Sequence, residues 1–185
     1  MTDPHHAVCP ARHAGALDSR FRRWIQSPRR LLSPHVREGM TALDFGCGPG
    51  FFTLDLARLV GPSGHVIAAD LQPEMLERLR AKLQGTAIES RVVLHQCPPD
   101  RIGLIRSVDF VLAFYVLHEL PDAASFFAEV RRLLTAAGRL LVVEPPLHVS
   151  KAAFEATLRA ARDAGLLVAA RPHIPFNKVA LLRAG

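Results

Sequence analysis

The chain has 185 residues, of which 49% are hydrophobic, and its formal net charge is +6 at pH 7. This composition favours one domain with a sizeable core and excludes a disordered chain, and no apolar run reaches the ~20 residues of a membrane helix. The first residues lack the basic start and apolar stretch of a signal peptide, so we expect a cytoplasmic protein.

The positive charge would suit an anionic substrate, a nucleic acid or an acidic membrane surface, but a generally Arg-rich composition explains it at least as well. The three cysteines, Cys9, Cys47 and Cys97, are odd in number and widely spaced, which predicts reduced thiols.

Residues 1–38 are predicted to form a tail and cap helices. Cys9 and His13 belong to the residue types that bind zinc, but no second ligand pair accompanies them, so a loose tail is favoured over a metal site. From Leu17 to Leu32 apolar residues recur with a helical period, and Ser27-Pro28 divides the run. We expect two short amphipathic helices there, packed on the core or covering a ligand.

Residues 39–185 alternate between predicted strands and predicted helices, as one structural domain. The strands are predicted at Met40–Phe45, His65–Asp70, Arg91–Gln96, Val108–Phe114, Arg139–Glu144, Leu166–Ala170 and Lys178–Arg183. The helices are predicted at Phe51–Val60, Pro73–Leu83, Pro121–Leu134 and from a Ser150 cap to Ala164. This order predicts an α/β fold, a doubly wound, mostly parallel seven-stranded sheet. The link Arg171–Asn177 is too short for a helical crossover, so the last strand should be antiparallel.

The turn between the first two strands has the pattern of a nucleotide-cofactor site. Gly46, Gly48 and Gly50 alternate there, so that backbone N–H groups can approach a ligand without obstruction by side chains. Asp70 ends the next strand, where a carboxylate can accept hydrogen bonds from both hydroxyls of a ribose. These features alone fit NAD as well as S-adenosylmethionine (SAM).

Two residues favour SAM over NAD. A dinucleotide fingerprint reads Gly-x-Gly-x-x-Gly, and Phe51 stands here at its last position, where bulk would hinder close approach of a pyrophosphate. Asp44 suits a positive group such as the methionine ammonium and would repel two phosphates. An NAD-binding protein is therefore the weaker alternative.

The segment Leu43–Gly50 (LDFGCGPG) resembles the first motif of class I SAM-dependent methyltransferases. The run Gly39–Leu83 is similar to the methyltransferase domain of the type-11 and ubiquinone-biosynthesis-like groups, and the resemblance continues through Asp109–Leu120 and Leu140–Pro145. It implies a Rossmann-like methyltransferase fold with SAM as the cofactor.

The resemblance also implies roles for individual residues. Asp44 would organise the glycine turn, and Asp70 would hold the ribose with Leu71 beside the adenine. The family usually has an acidic residue about where Cys97 stands, so at the adenine edge Cys97, Pro98 or a backbone group would take its place. The other implied cofactor contacts lie along the methionine moiety, at Gly46, Cys47, Gly48 and Gly50, and beneath it, at Ala113 and Phe114.

Candidates for the acceptor chemistry follow the fourth and fifth strands, because ligands gather at the carboxyl ends of parallel strands. His118 suits a base, and it equally suits a residue that caps or packs the next helix. Tyr115 fits packing somewhat better than a substrate contact, and Glu144 at a strand end is more indicative of function. Methyl transfer from a sulfonium needs mainly alignment and dehydration, so a base is not required for every acceptor.

Together these patterns predict a SAM-dependent methyltransferase acting on a small-molecule acceptor, without a metal. Phe114–Leu117 stands where amino-methylating nucleic-acid enzymes carry an Asn-Pro-Pro-Tyr type motif, which makes a nucleic-acid or protein methyltransferase the less favoured alternative. The departure at Cys97 and the lack of a clear base leave open a catalytically inactive SAM-binding regulatory protein. A homodimer also stays open.

Overall fold

The computed structural model describes residues 28–185, so the predictions for Cys9, His13 and the helix before Ser27-Pro28 lie outside the described residues. Seven strands occur in this part of the chain, in the order β3-β2-β1-β4-β5-β7-β6. They are β1 (Thr41–Phe45), β2 (His65–Asp70), β3 (Val92–Gln96), β4 (Val108–Phe114), β5 (Leu134–Glu144), β6 (Leu166–Ala170) and β7 (Lys178–Ala184). The predicted fold class, an α/β fold with a seven-stranded mixed sheet, is confirmed.

The α-helices of the described residues are α1 (Pro28–Leu32), α2 (Thr53–Leu59), α3 (Pro73–Leu83), α4 (Ala123–Leu133) and α5 (Lys151–Asp163). Short 3-10 turns lie at Glu89–Arg91 and Leu117–Glu119. None of these helices is long and apolar enough to cross a membrane. The described chain separates into two compact units, residues 28–97 and residues 98–185.

In the unit of residues 28–97, β2 pairs in parallel with both β1 and β3. Helix α3 begins with Pro73, whose fixed φ suits a first helical turn, and its apolar side packs on β2 and β3. The buried residues of that side are Met75, Leu76, Leu79 and Leu83. Because β1 and β2 are parallel, Gly46 and Asp70 follow or end their strands at the same edge.

In the unit of residues 98–185, β4 and β5 are parallel, and β7 runs antiparallel to both β5 and β6, as predicted. Asp122 caps α4 by accepting from the N–H groups of Ala124 and Ser125, and Ser150 caps α5 by accepting from the N–H of Ala153. The bounds of β5 differ from the prediction. It begins at Leu134, which pairs with Val108 before a register shift brings Arg139 opposite Phe110.

Candidate functional site

The glycine turn after β1 is fixed by backbone hydrogen bonds. The N–H groups of Gly46 and Cys47 both donate to the carbonyl of Ala69 in β2, at 2.8 and 3.0 Å. Gly46, Gly48 and Gly50 all have positive φ, between 52° and 87°. L side chains rarely adopt this conformation, so the alternating glycines set the course of the turn.

Two of these glycines are required for different reasons. A Cβ atom at Gly48 would meet no atom of residues 28–185 within 4 Å, so in this part of the chain the position is open to a ligand. A Cβ atom at Gly50 would overlap the Cδ1 methyl of Leu79 in α3. The missing side chain of Gly50 therefore lets the turn pack against α3, and its predicted contact with the cofactor stays a prediction.

Asp70 joins the end of β2 to the glycine turn. Its Oδ2 accepts a hydrogen bond from the N–H of Gly48 at 2.8 Å, and its Oδ1 accepts one from the N–H of Gln72 at 2.9 Å. Burial raises the pKa of Asp70, and these backbone donors oppose that rise. Each oxygen of a carboxylate offers two lone pairs, so both can also accept from the hydroxyls of a ribose.

Asp44 is a carboxylate buried beneath the glycine turn, with 2% of its surface exposed. Its Oδ2 accepts a hydrogen bond from the hydroxyl of Thr53 at 2.6 Å. Among the described residues, no group donates to Oδ1. Burial raises the pKa of Asp44 to about 7, with the Thr53 hydrogen bond opposing the rise and the charge of Asp70 adding to it. Within residues 28–185, the turn therefore holds a buried carboxyl group with one oxygen that accepts no hydrogen bond.

Thr53 was missed by the sequence analysis. It is the first residue of α2 and is fully buried. A hydroxyl residue at the start of the helix that follows a glycine turn is the signal that could have identified it, because such a side chain points back toward the strand that precedes the turn.

The other residues predicted for this site in residues 28–97 differ in exposure. Cys47 is buried, and burial together with the nearby acidic groups raises the pKa of its thiol, so the thiol is neutral. Cys97 is also buried, and its N–H donates to the carbonyl of Asp70 at 2.9 Å. Leu71 is exposed.

In residues 98–185, polar side chains gather where β4 and β5 end and β7 begins. We call Tyr115, His118, Glu144, His148 and Asn177 the sheet-end cluster. Glu144, at the end of β5, is 1% exposed. Its Oε1 accepts from the N–H of Leu117 at 3.0 Å, and its Oε2 lies 2.5 Å from Nδ1 of His118. This places the predicted residues His118 and Glu144 in direct contact.

His118 carries the features of a positioned acid–base group. The hydrogen bond to Glu144 and the charge of that carboxylate raise the pKa of His118, while partial burial opposes the rise. Among the described residues no group bonds to Nε2 of His118. The ring of His148 is stacked against the His118 ring, with 6.0 Å between the ring centroids and 22° between the ring planes. Asp122, not His118, caps α4, while the alternative that His118 packs against the start of that helix stays open.

Tyr115 is held by contacts of its backbone, hydroxyl and ring at the end of β4. Its N–H donates to the carbonyl of Val143 at 2.8 Å, its hydroxyl donates to Oδ1 of Asn177, and its ring lies 4.3 Å from that of Phe114. Its φ is 59°, a left-handed conformation that costs a non-glycine residue about 1–2 kcal/mol. Asn177 was not identified from sequence, because it lies 62 residues further along the chain.

The remaining predicted residues of this unit are apolar. Ala113 and Phe114 are buried in the last part of β4, and Pro98 is half-buried at the start of the unit. Residues 28–185 contain no group of three or more His, Cys, Asp or Glu side chains that could hold a metal ion.

Comparison with known proteins gives consistent matches. The model of a family described as "Methyltransferase domain" matches residues 36–168. Demethylmenaquinone methyltransferase of Lactococcus lactis is 37% identical over 123 residues, which are 63% of this chain and 48% of that protein. Ubiquinone/menaquinone biosynthesis C-methyltransferase UbiE of Pasteurella multocida is 36% identical over 59% of this chain and 41% of its own length. The chain thus spans about half the length of the curated relatives it matches.

Among solved structures, a SAM-dependent methyltransferase from Aquifex aeolicus superimposes with a TM-score of 0.84 at 26% sequence identity. The match covers 95% of this chain and 98% of that one. The similarity therefore extends beyond the segment shared with the curated relatives.

Proposed function

The chain belongs to the methyltransferase-domain family of class I SAM-dependent methyltransferases, and from this premise we propose that it transfers the methyl group of SAM to a protic small-molecule acceptor. The proposal divides the work between the glycine turn, which binds the donor, and the sheet-end cluster, which prepares the acceptor. The names of the matched relatives support a small organic acceptor.

The single observation that carries the donor assignment is Asp44. Leaving an oxygen of a buried carboxylate without a donor is unfavourable by about 1–3 kcal/mol or more, so the site is suited to a ligand that supplies a donor or a positive charge. The ammonium of SAM would supply both, whereas the pyrophosphate of NAD would be repelled. Bound SAM supplies a methyl group on a sulfonium, which is already activated for displacement.

The remaining donor contacts are proposed on the same basis. Asp70 accepts hydrogen bonds from the ribose hydroxyls while its bond to Gly48 keeps the turn in place. Gly48 leaves room for the ligand, and Leu71 covers the adenine. The roles of Gly46, Cys47, Gly50, Cys97, Pro98, Ala113 and Phe114 in this site stay predictions.

On the acceptor side, we assign His118 as the base and Glu144 as the residue that orients it. With His118 neutral, Nδ1–H donates to Glu144 and the lone pair of Nε2 can take a proton from an O–H or N–H group of the acceptor. The imidazolium that forms is stabilised by the carboxylate of Glu144, which is buried and 2.5 Å away. Proton removal makes the acceptor atom a better nucleophile.

A cytoplasmic location and a homodimer stay predictions.

Calorimetry with SAM, S-adenosylhomocysteine and NAD tests the proposal. We expect the first two to bind and NAD to fail. Asp70→Ala should lower SAM affinity by at least tenfold, because it removes two charge-assisted hydrogen bonds to the ribose. Glu77→Ala, which removes an exposed carboxylate of α3 that pairs with Arg80, is the matched control and should leave SAM affinity unchanged. Binding of NAD without SAM would reject the donor assignment.

A further inference from the structure

Two arginines stand directly opposite each other on neighbouring strands of residues 98–185. Arg139 of β5 pairs with Arg183 of the antiparallel β7. Residues paired in this way have side chains on the same face of the sheet, with Cβ atoms about 4.5–5.5 Å apart. Like charges in this arrangement destabilise the pair of strands, unless a negative charge lies nearby to compensate them.

The described part of the chain supplies no such negative charge. Among these residues, no carboxylate forms an ion pair with either arginine. Asp109, which precedes the β4 partner of Arg139, accepts from a threonine hydroxyl at 3.0 Å instead. Arg171 of the same unit shows the contrast, because it donates to both carboxylate oxygens of Glu155 at 2.6 and 2.9 Å.

Backbone carbonyls hold both guanidinium groups. Nη1 of Arg139 donates to the carbonyls of Ala137 and Gly138 at 2.7 and 2.8 Å, and Nη1 of Arg183 donates to the carbonyl of Ala184 at 2.8 Å. These are the hydrogen bonds of the two side chains within the described residues, so Nη2 and Nε of each remain as donors for a ligand. Since Arg183 is exposed, the pair is open to solvent.

The arginines at the helix ends of this unit have a different explanation. Arg131 and Arg132 lie in the last turn of α4, and Arg162 lies in the last turn of α5. A positive charge there interacts favourably with the negative end of the helix dipole. Arg139 and Arg183 lie in strands, where this explanation does not apply.

The uncompensated charge is confined to these two side chains. The neighbour of Arg183 on β6 is Leu167, and the neighbour of Arg139 on β4 is the fully buried Phe110. A nucleic acid is bound tightly through several phosphates along a track of positive charge, which apolar neighbours on both sides interrupt. Two charges side by side match one phosphate or diphosphate group.

The arginine pair is separate from the acid–base pair of the sheet-end cluster. Arg139 and Glu144 lie on the same strand, and a rise of about 3.3 Å per residue places them roughly 17 Å apart. A ligand at the arginine pair would therefore not reach His118 through a single phosphate group.

We propose that Arg139 and Arg183 form a binding site for the phosphate or diphosphate group of a small molecule, distinct from the site of methyl transfer. Guanidinium groups match phosphate oxygens in geometry and can donate two parallel hydrogen bonds to them. The bound anion would also remove the repulsion between the two arginines. The anchoring of Nη1 by the backbone limits the side-chain freedom that is lost on binding.

Calorimetry of the full chain with pyrophosphate, at low ionic strength and without SAM, tests this site. We expect binding of pyrophosphate by the parent chain. Arg139→Gln and Arg183→Gln should each lower the affinity at least tenfold, because each removes one set of charge-assisted hydrogen bonds. The matched control is Arg101→Gln, which removes an exposed arginine that lies 3.7 Å from Asp100. It should leave the affinity unchanged.

Thermal unfolding separates a ligand site from a merely structural role. Without added anion at low salt, Arg183→Gln should raise Tm, because it ends the repulsion of Arg139; a structural arginine would lower Tm when replaced. Potassium phosphate should raise the Tm of the parent chain more than potassium chloride of equal ionic strength, and this difference should vanish in Arg183→Gln.

Two results would overturn the inference: no detectable binding of pyrophosphate, or equal pyrophosphate affinity in the parent chain, Arg139→Gln and Arg183→Gln. A uridine decamer that binds far more tightly than pyrophosphate and depends on the same arginines would also overturn it, in favour of a nucleic-acid surface. Since SAM takes no part in these measurements, failure of the proposed function would leave their outcome unchanged.

Discussion

Glu144→Gln is the sharpest test of the acid–base pair. The amide keeps the shape of the side chain but removes the charge that faces His118, at a contact of 2.5 Å where the carboxylate is almost fully buried. Since the bond to Glu144 is the main cause of the raised pKa of His118 and burial acts against it, the substitution should bring that pKa to or below its ordinary value of about 6.5.

The size of the effect follows from the kind of bond that is lost. A hydrogen bond to a charged group contributes about 1.5–3 kcal/mol, so its loss should lower the pKa of His118 clearly. The raised pKa of His118 also defines how the loss of stability in Glu144→Gln depends on pH. A group with a raised folded pKa stabilises fully below its unfolded pKa, so Glu144→Gln should be most destabilising below about pH 6.5, and the difference should shrink as pH rises through the folded pKa of His118.

The assay is an NMR titration of the His118 imidazole signals, combined with urea unfolding at several pH values. Glu119→Gln is the control, because the charge of Glu119 raises the pKa of His118 less than Glu144 does, and its loss should lower that pKa much less. An unchanged His118 pKa in Glu144→Gln would refute the role of Glu144. A stability difference that grows with pH would refute it as well.

Three further predictions concern the glycine turn. Thr53→Val should destabilise the protein by about 1–3 kcal/mol in urea unfolding, since it removes the hydroxyl that donates to the buried carboxylate of Asp44. Thr53→Ser keeps the hydroxyl and should not have this effect. Equal stability of the two variants would contradict the role of the hydroxyl. SAM affinity, measured by calorimetry, should rise between pH 5 and 7, because the ammonium of SAM favours the ionised form of Asp44, whose pKa is about 7 without ligand. Asp44→Asn should flatten this pH dependence. A pH dependence that persists in the variant would mean that another group titrates. Gly50→Ala should lower the free energy of unfolding by more than the ~1–2 kcal/mol of a left-handed alanine, since its Cβ also overlaps Leu79. Gly48→Ala should lower the free energy of unfolding by no more than that amount but should weaken SAM binding. A larger loss of stability in Gly48→Ala than in Gly50→Ala would contradict the packing of Gly50 against Leu79.

The sequence by itself determined the fold class, the donor motif and most element bounds. β2, β4 and α3 begin and end where local pattern places them, because alternating burial, Pro73 and the flanking glycines act over a few residues. Asp44 and Asp70 could be assigned to the donor motif since their positions relative to the first glycine and to the strand ends depend only on local geometry.

Only the tertiary structure decided which side chains meet. Thr53 with Asp44, His118 with Glu144 and Tyr115 with Asn177 are brought together by strand register and by turns, over separations of 9, 26 and 62 residues. The early start of β5 likewise depends on a partner, because Leu134 joins the sheet only through Val108. Local propensity contains no information on such partners, so a turn glycine that faces no described residue and one that faces Leu79 look alike until the chain is folded.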